Sequence, residues 1–144
     1  MKSLTHAYIK AKGLSDKIDL DLSDLNLNQL DSSKYFLIIQ SCTKTFLKIT
    51  LYPIRKKRII KIQIYDKQTT KNKINSLKHI LGELEIIHTT GLILEKEELS
   101  YECYLNNNIN ELYLQEKKDL LKRINKLKKM FKFLKIEEIT LEKE

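Results

Sequence analysis

The stretch RIIKIQIYDKQTTKNKINSLKHILG, residues 58–82, decides the fold. Its first half alternates. Ile60, Ile62 and Ile64 fall on one side of an extended chain, and Lys61, Gln63 and Tyr65 on the other. Its second half changes period. Ile74, Leu77, Ile80 and Leu81 recur at helical spacing, and Gly82 stands where such a helix ends. A strand therefore hands over to a helix across DKQTTKNK, a junction with neither glycine nor proline.

The pattern continues on the C-terminal side. LEIIHTTGLILE (84–95) and LSYECYLN (99–106) predict two strands of a hairpin around KEE (96–98). Leu99, Tyr101, Cys103 and Leu105 share one face of the second strand. In residues 114–135, Leu120, Ile124, Leu127, Phe131 and Leu134 repeat at four and three, which predicts one long helix with an apolar stripe. IEEITLE (136–142) predicts a closing strand. The order from Ile59 is β-α-β-β-α-β. The fold class expected is α+β, a ferredoxin-like plait with both helices on one face of an antiparallel sheet.

Upstream, KYFLIIQ (34–40) and TFLKITLY (45–52) predict a hairpin around SCTK, with Pro53 at a strand end. KIDLDLSDLNLNQL (17–30) alternates leucine with polar residues and suits a strand or an irregular edge. Composition shifts along the chain. Residues 1–33 hold four lysines against five aspartates, a net of −1, which leaves +9 of the +8 total for the rest. The expected division is a β-rich N-terminal extension, 1–56, and a second domain, 57–144.

The chain has 144 residues, 42% of them hydrophobic, enough for one ordinary core. Three glycines and one proline argue against a loop-rich enzyme. The basic residues are lysines apart from Arg55, Arg58 and Arg123. A dedicated phosphate binder uses more arginine for its bidentate fork. The surplus therefore reads first as composition, since an AT-rich genome favours lysine, isoleucine and asparagine. A small anionic ligand and nucleic acid are the partner classes the charge admits. Cys42 and Cys103 are far apart and make no zinc spacing. With no apolar run long enough for a signal peptide or a membrane span, the expectation is a cytoplasmic protein with no cofactor and no membrane partner.

The phrases IIKIQIYD, INSLKHILGELEIIHTTGLI, LSYECYL and LKKMFKFLKIEEITLE together resemble an ACT domain, a βαββαβ regulatory module, over residues 57–144. The resemblance implies a non-catalytic sensing protein that forms a homodimer or higher homo-oligomer. It implies a ligand site at the loop after the first strand, at the first helix start, and on the second strand of a neighbour. Carried onto this chain, those positions are Asp66 and Asn72, with His88, Thr89 and Thr90. Where members that bind amino acids carry a glycine in that loop, often after a proline, this chain has KQTTKNK. More faintly, DLSDLNLNQLDSS and KYFLIIQSCTKTFLKITLYPI resemble the second half of an AbrB-like swapped-hairpin DNA-binding domain.

Read from the residues alone, Thr69 or Thr70 caps the helix, and Lys67, Lys71 and Lys73 surround its positive end. That cluster either is a solvated cap or holds an anion. His88 is either a satisfied strand residue or a ligand contact. Asp66 with His88 would make an acid–base pair if both reached one substrate. Tyr101 and Tyr104 on one strand raise RNA stacking as an alternative, without the glycine-aromatic signature of RNA-recognition modules. The remaining alternatives are a DNA-binding regulator that uses the N-terminal part, and an adaptor that binds a protein at a sheet edge.

Overall fold

The computed structural model describes residues 7–11, 13–15, 17–20, 34–114 and 118–142. The chain divides into two compact units, Met1–Asp31 and Ser32–Glu144. In the first unit the described residues form no helix or strand. Lys10 Nζ donates to the Asp19 carbonyl at 2.8 Å. Most of the alternating stretch 17–30, and the 21–33 segment of the AbrB-like resemblance, lie outside the described residues.

The second unit runs β1 (Tyr35–Cys42), β2 (Leu47–Ile54), β3 (Arg58–Asp66), α1 (Lys71–Leu81), β4 (Ile86–Thr89), β5 (Ile93–Glu95), β6 (Glu98–Leu105), a 3-10 turn (Ile109–Tyr113), α2 (Lys118–Met130) and β7 (Phe133–Thr140). These make two antiparallel sheets. One is the β1–β2 hairpin. The other has the order β4-β6-β3-β7, with β5 also paired to β6. The expected division at residues 56/57 falls inside this unit.

The alternation of β3 does what its sequence implies. Ile60, Ile62 and Ile64 are buried with Leu77, Ile80 and Leu81 of α1 and Leu120, Ile124 and Leu127 of α2. Leu99, Tyr101, Cys103 and Leu105 complete this core from β6. Both helices thus cover one face of the sheet. Burying a Leu or Ile side chain contributes roughly 1.5–3 kcal/mol, so this cluster dominates stability.

The hairpin covers part of the other face. Leu37 and Ile39 are buried against Ile59, with Tyr52, Ile87, Tyr104 and Ile139 packed around them. The β2–β3 link is clamped as well. Lys56 Nζ donates to the Asn106 carbonyl at 2.7 Å and to Glu111 Oε1 at 2.8 Å. The buried Asn107 amide donates to Glu111 Oε2 at 2.8 Å.

Three expectations need correction. Residues 84–95 are two strands, not one. Gly91 takes a left-handed φ of 76° between them, and its N–H donates to Thr89 Oγ1 at 3.0 Å. Glycine reaches that conformation at no steric cost. The long helix expected over 114–135 is shorter. It ends at Met130, and Leu134 lies on β7. Eight residues from Phe133 pair with β3. Tertiary pairing along a free strand edge outweighs a helical period at the end of a helix. Finally, Tyr101 and Tyr104 do not share a face. Tyr101 is in the core, and Tyr104 faces the hairpin.

Candidate functional site

The β3–α1 junction is built from short-range contacts. Thr70, with φ −115° and ψ 159°, caps α1, and its Oγ1 accepts from Lys73 N at 3.2 Å. The first turn of α1 has no acidic residue. Cations there oppose the helix dipole by roughly 0.3–1 kcal/mol. Asp66, at the end of β3, supplies the missing anion: its Oδ2 lies 3.2 Å from Lys73 Nζ. The same ammonium sits 5.8 Å from the Phe131 ring centre. Thr69 N donates to the Glu97 carbonyl at 2.9 Å, which fixes the junction to the β5–β6 turn. The Thr69 hydroxyl is buried without a hydrogen-bond partner. An unmatched buried hydroxyl costs about 1–3 kcal/mol. Asn72 is exposed in the first turn.

The β4 residues occupy a different place. His88 pairs with Tyr104 across a register shift. Its ring stands edge-on to Tyr104 at 6.1 Å and to Tyr52 at 5.4 Å. Nδ1 is 2.6 Å from the Tyr52 hydroxyl. Thr89 Oγ1 accepts from Gly91 N, and burial drives the neighbouring Tyr101 phenol well above its ordinary value. Thr90 Oγ1 accepts from Glu102 N at 3.0 Å, which extends the ladder past the end of β4. Burial also pushes the Cys103 thiol up to about 11.

The seven expected site residues therefore form two groups. Asp66 pairs with Leu99, and Thr89 with Cys103, four residues along β6. That is about 13 Å along the strand, and β3 and β4 flank β6 some 10 Å apart. Asp66, Thr69, Thr70 and Asn72 converge within one chain, whereas His88, Thr89 and Thr90 lie about 16 Å away. Asp66 and His88 do not meet as an acid–base pair.

The sheet face away from the helices carries what the reading missed. Gln63 Nε2 donates to Glu102 Oε1 at 2.6 Å, and Lys61 Nζ lies 3.6 Å from Glu102. Burial pulls the Lys61 ammonium down, but the neighbouring Tyr104 and Glu102 outweigh it and leave its pKa raised. Beyond the hairpin this face is open. Tyr65 and Phe133 are exposed there with ring centres 6.3 Å apart, and they line a cleft of about 620 Å³ with Ser100 and Lys135. A second cleft, of about 400 Å³, lies at the hairpin base. Its apolar floor includes Leu37, Ile59 and Ile139, and Lys34, Lys57 and Arg58 line it too. The alternation of β3 already placed Lys61, Gln63 and Tyr65 together. Nothing local said which part of that face the hairpin would cover.

Among the described residues no three His, Cys, Asp or Glu side chains gather as a metal site, and no helix is long and apolar enough to cross a membrane. No family model, no curated protein and no solved structure matches the chain.

Proposed function

We propose that this chain is a non-catalytic regulatory module on a ferredoxin-like plait of the ACT type. It acts in the cytoplasm by self-association and by binding a small anionic metabolite such as an amino acid. One observation carries the reading. The order β4-β6-β3-β7 is antiparallel throughout, with α1 and α2 packed on one face. Two split βαβ units would lead to that strand order.

Self-association and ligand binding are linked in this reading. The two residue groups lie about 16 Å apart in one chain, so a shared site takes one group from each of two copies. The buried Thr69 hydroxyl at the junction supports a ligand there. A bound carboxylate or phosphate would displace the Asp66–Lys73 pair or add to Lys67 and Lys71. A thermal-shift panel of amino acids and nucleotides, with sedimentation of the same samples, tests this. A ligand at 100 times its Kd stabilises by about 2.7 kcal/mol. A monomer stabilised by none of them refutes it.

A second reading rests on Tyr65 and Phe133. Two exposed rings beside Lys132 and Lys135 suit stacking of single-stranded nucleic acid. Anisotropy with a labelled oligonucleotide at two salt concentrations tests it. Binding that ignores Tyr65→Ala and Phe133→Ala excludes this surface.

A further inference from the structure

Among the described residues, the two-stranded β1–β2 sheet is packed on one face. Leu37 and Ile39 point to the plait. The opposite face carries Phe36, Ile38, Leu47, Ile49 and Leu51, opposed in the register Ile38↔Leu51 and Cys42↔Leu47. Ile38 is 56% exposed and Leu47 49%. The remaining positions of this face, Gln40, Cys42 and Pro53, are uncharged too. In a chain with 32% charged residues, that is a patch of different character from its surroundings.

We propose that this outer face is a homodimer interface, in which two copies stack their hairpins across a two-fold axis. The inference rests on the self-association proposed above, but not on the ligand or on the ACT-like assignment. Charge selects the occupant. A two-fold axis sets a patch against a copy of itself, so a patch with charge of one sign repels its copy. On a chain of net charge +8, a face without any charge escapes that penalty, and it offers no counter-charge to an acidic or basic partner. Area sets the strength. With Phe46 at the turn, the exposed apolar side chains amount to about 500 Å² per copy. A symmetric pair buries about 1,000 Å², the lower bound for a specific interface. That predicts a reversible, micromolar dimer. Stacked sheets pack about 10 Å apart, a spacing at which the side chains of two such faces interdigitate.

Cys42 lies on this face and is exposed, while Cys103 is buried, so one thiol reports on cover of the patch. The test is sedimentation of the full chain from about 1 to about 100 µM, with Cys42 thiol-modification rates over the same range. The unmodified chain is expected to dimerise, with Cys42 slowing as concentration rises. Ile38→Lys and Ile49→Lys each place two like charges in the pair and should weaken dimerisation at least tenfold, while the melting temperature of the dilute chain holds. Lys135→Glu, on the plait, should leave the dimer unchanged. A dimer that survives both lysine substitutions overturns this interface and leaves the proposed self-association standing. A monomer at the highest concentration overturns both. So does a monomer whose Cys42 is slow at every concentration, since another part of the chain then covers the face.

Discussion

Leu37→Ala decides whether the hairpin is part of the folding unit or an appendage. Leu37 is 6% exposed and sits in the small cluster with Ile39 and Ile59. Truncation to alanine removes three carbons, and about 0.8 kcal/mol per buried methylene gives roughly 2.4 kcal/mol. A residual cavity would add to this, but five of the seven residues around Leu37 in this cluster are partly exposed, so it can close. The expected loss is about 2–3 kcal/mol. At this chain length it lowers the melting temperature by roughly 6–12 °C. Urea unfolding followed by circular dichroism at low concentration measures it, with the exposed Gln40→Ala on the same strand as control, expected within about 0.5 kcal/mol. The transition should stay single, with an unchanged slope. A loss below about 1 kcal/mol, or a separate early transition for the hairpin, refutes the docking argument.

Three further outcomes follow from local geometry. Tyr52→Phe removes the hydroxyl that meets His88 Nδ1 at 2.6 Å. It should cost about 1 kcal/mol in the same urea assay. Lys96 holds a left-handed φ of 59° in the β5–β6 turn, so Lys96→Gly should raise stability by about 0.5 kcal/mol, read as a small rise in melting temperature. The Cys103 thiol is raised from 9.0 to about 11, so the folded state keeps its proton longer than the unfolded one. Stability attributable to this group is constant below pH 9 and falls between pH 9 and about 11. The alkaline fall should be shallower in Cys103→Ala, and the Cys103 thiolate should form at higher pH in the native chain than in urea.

Within single elements the sequence was legible because the signal is periodic. The alternation of Ile60, Ile62 and Ile64 and the helical spacing of Leu77, Ile80 and Leu81 each bury one face in the main core, whereas Ile74, on the same predicted stripe, stays outside it. Periodicity failed where two patterns met. Leu134 continues the spacing of α2 but pairs with Ile64 across β7 and β3. The candidate site was legible only in its local half. Thr70 caps α1 as a threonine before a helical run should. The Asp66–Lys73 pair spans seven residues and was not foreseen, although both residues were singled out.

By itself the sequence determined where β3, α1, β6 and α2 lie and which face of each meets the core. These follow from side-chain period and chemistry along a few residues. Only the tertiary structure decided that the hairpin docks on the larger sheet, that His88 rests between Tyr52 and Tyr104, and that Tyr65 and Phe133 stay open to solvent. Those depend on which strand lies beside which, and residues 36 positions apart meet only once the sheet order is set. Burial of a whole face drives that order, and no single stretch of chain contains it.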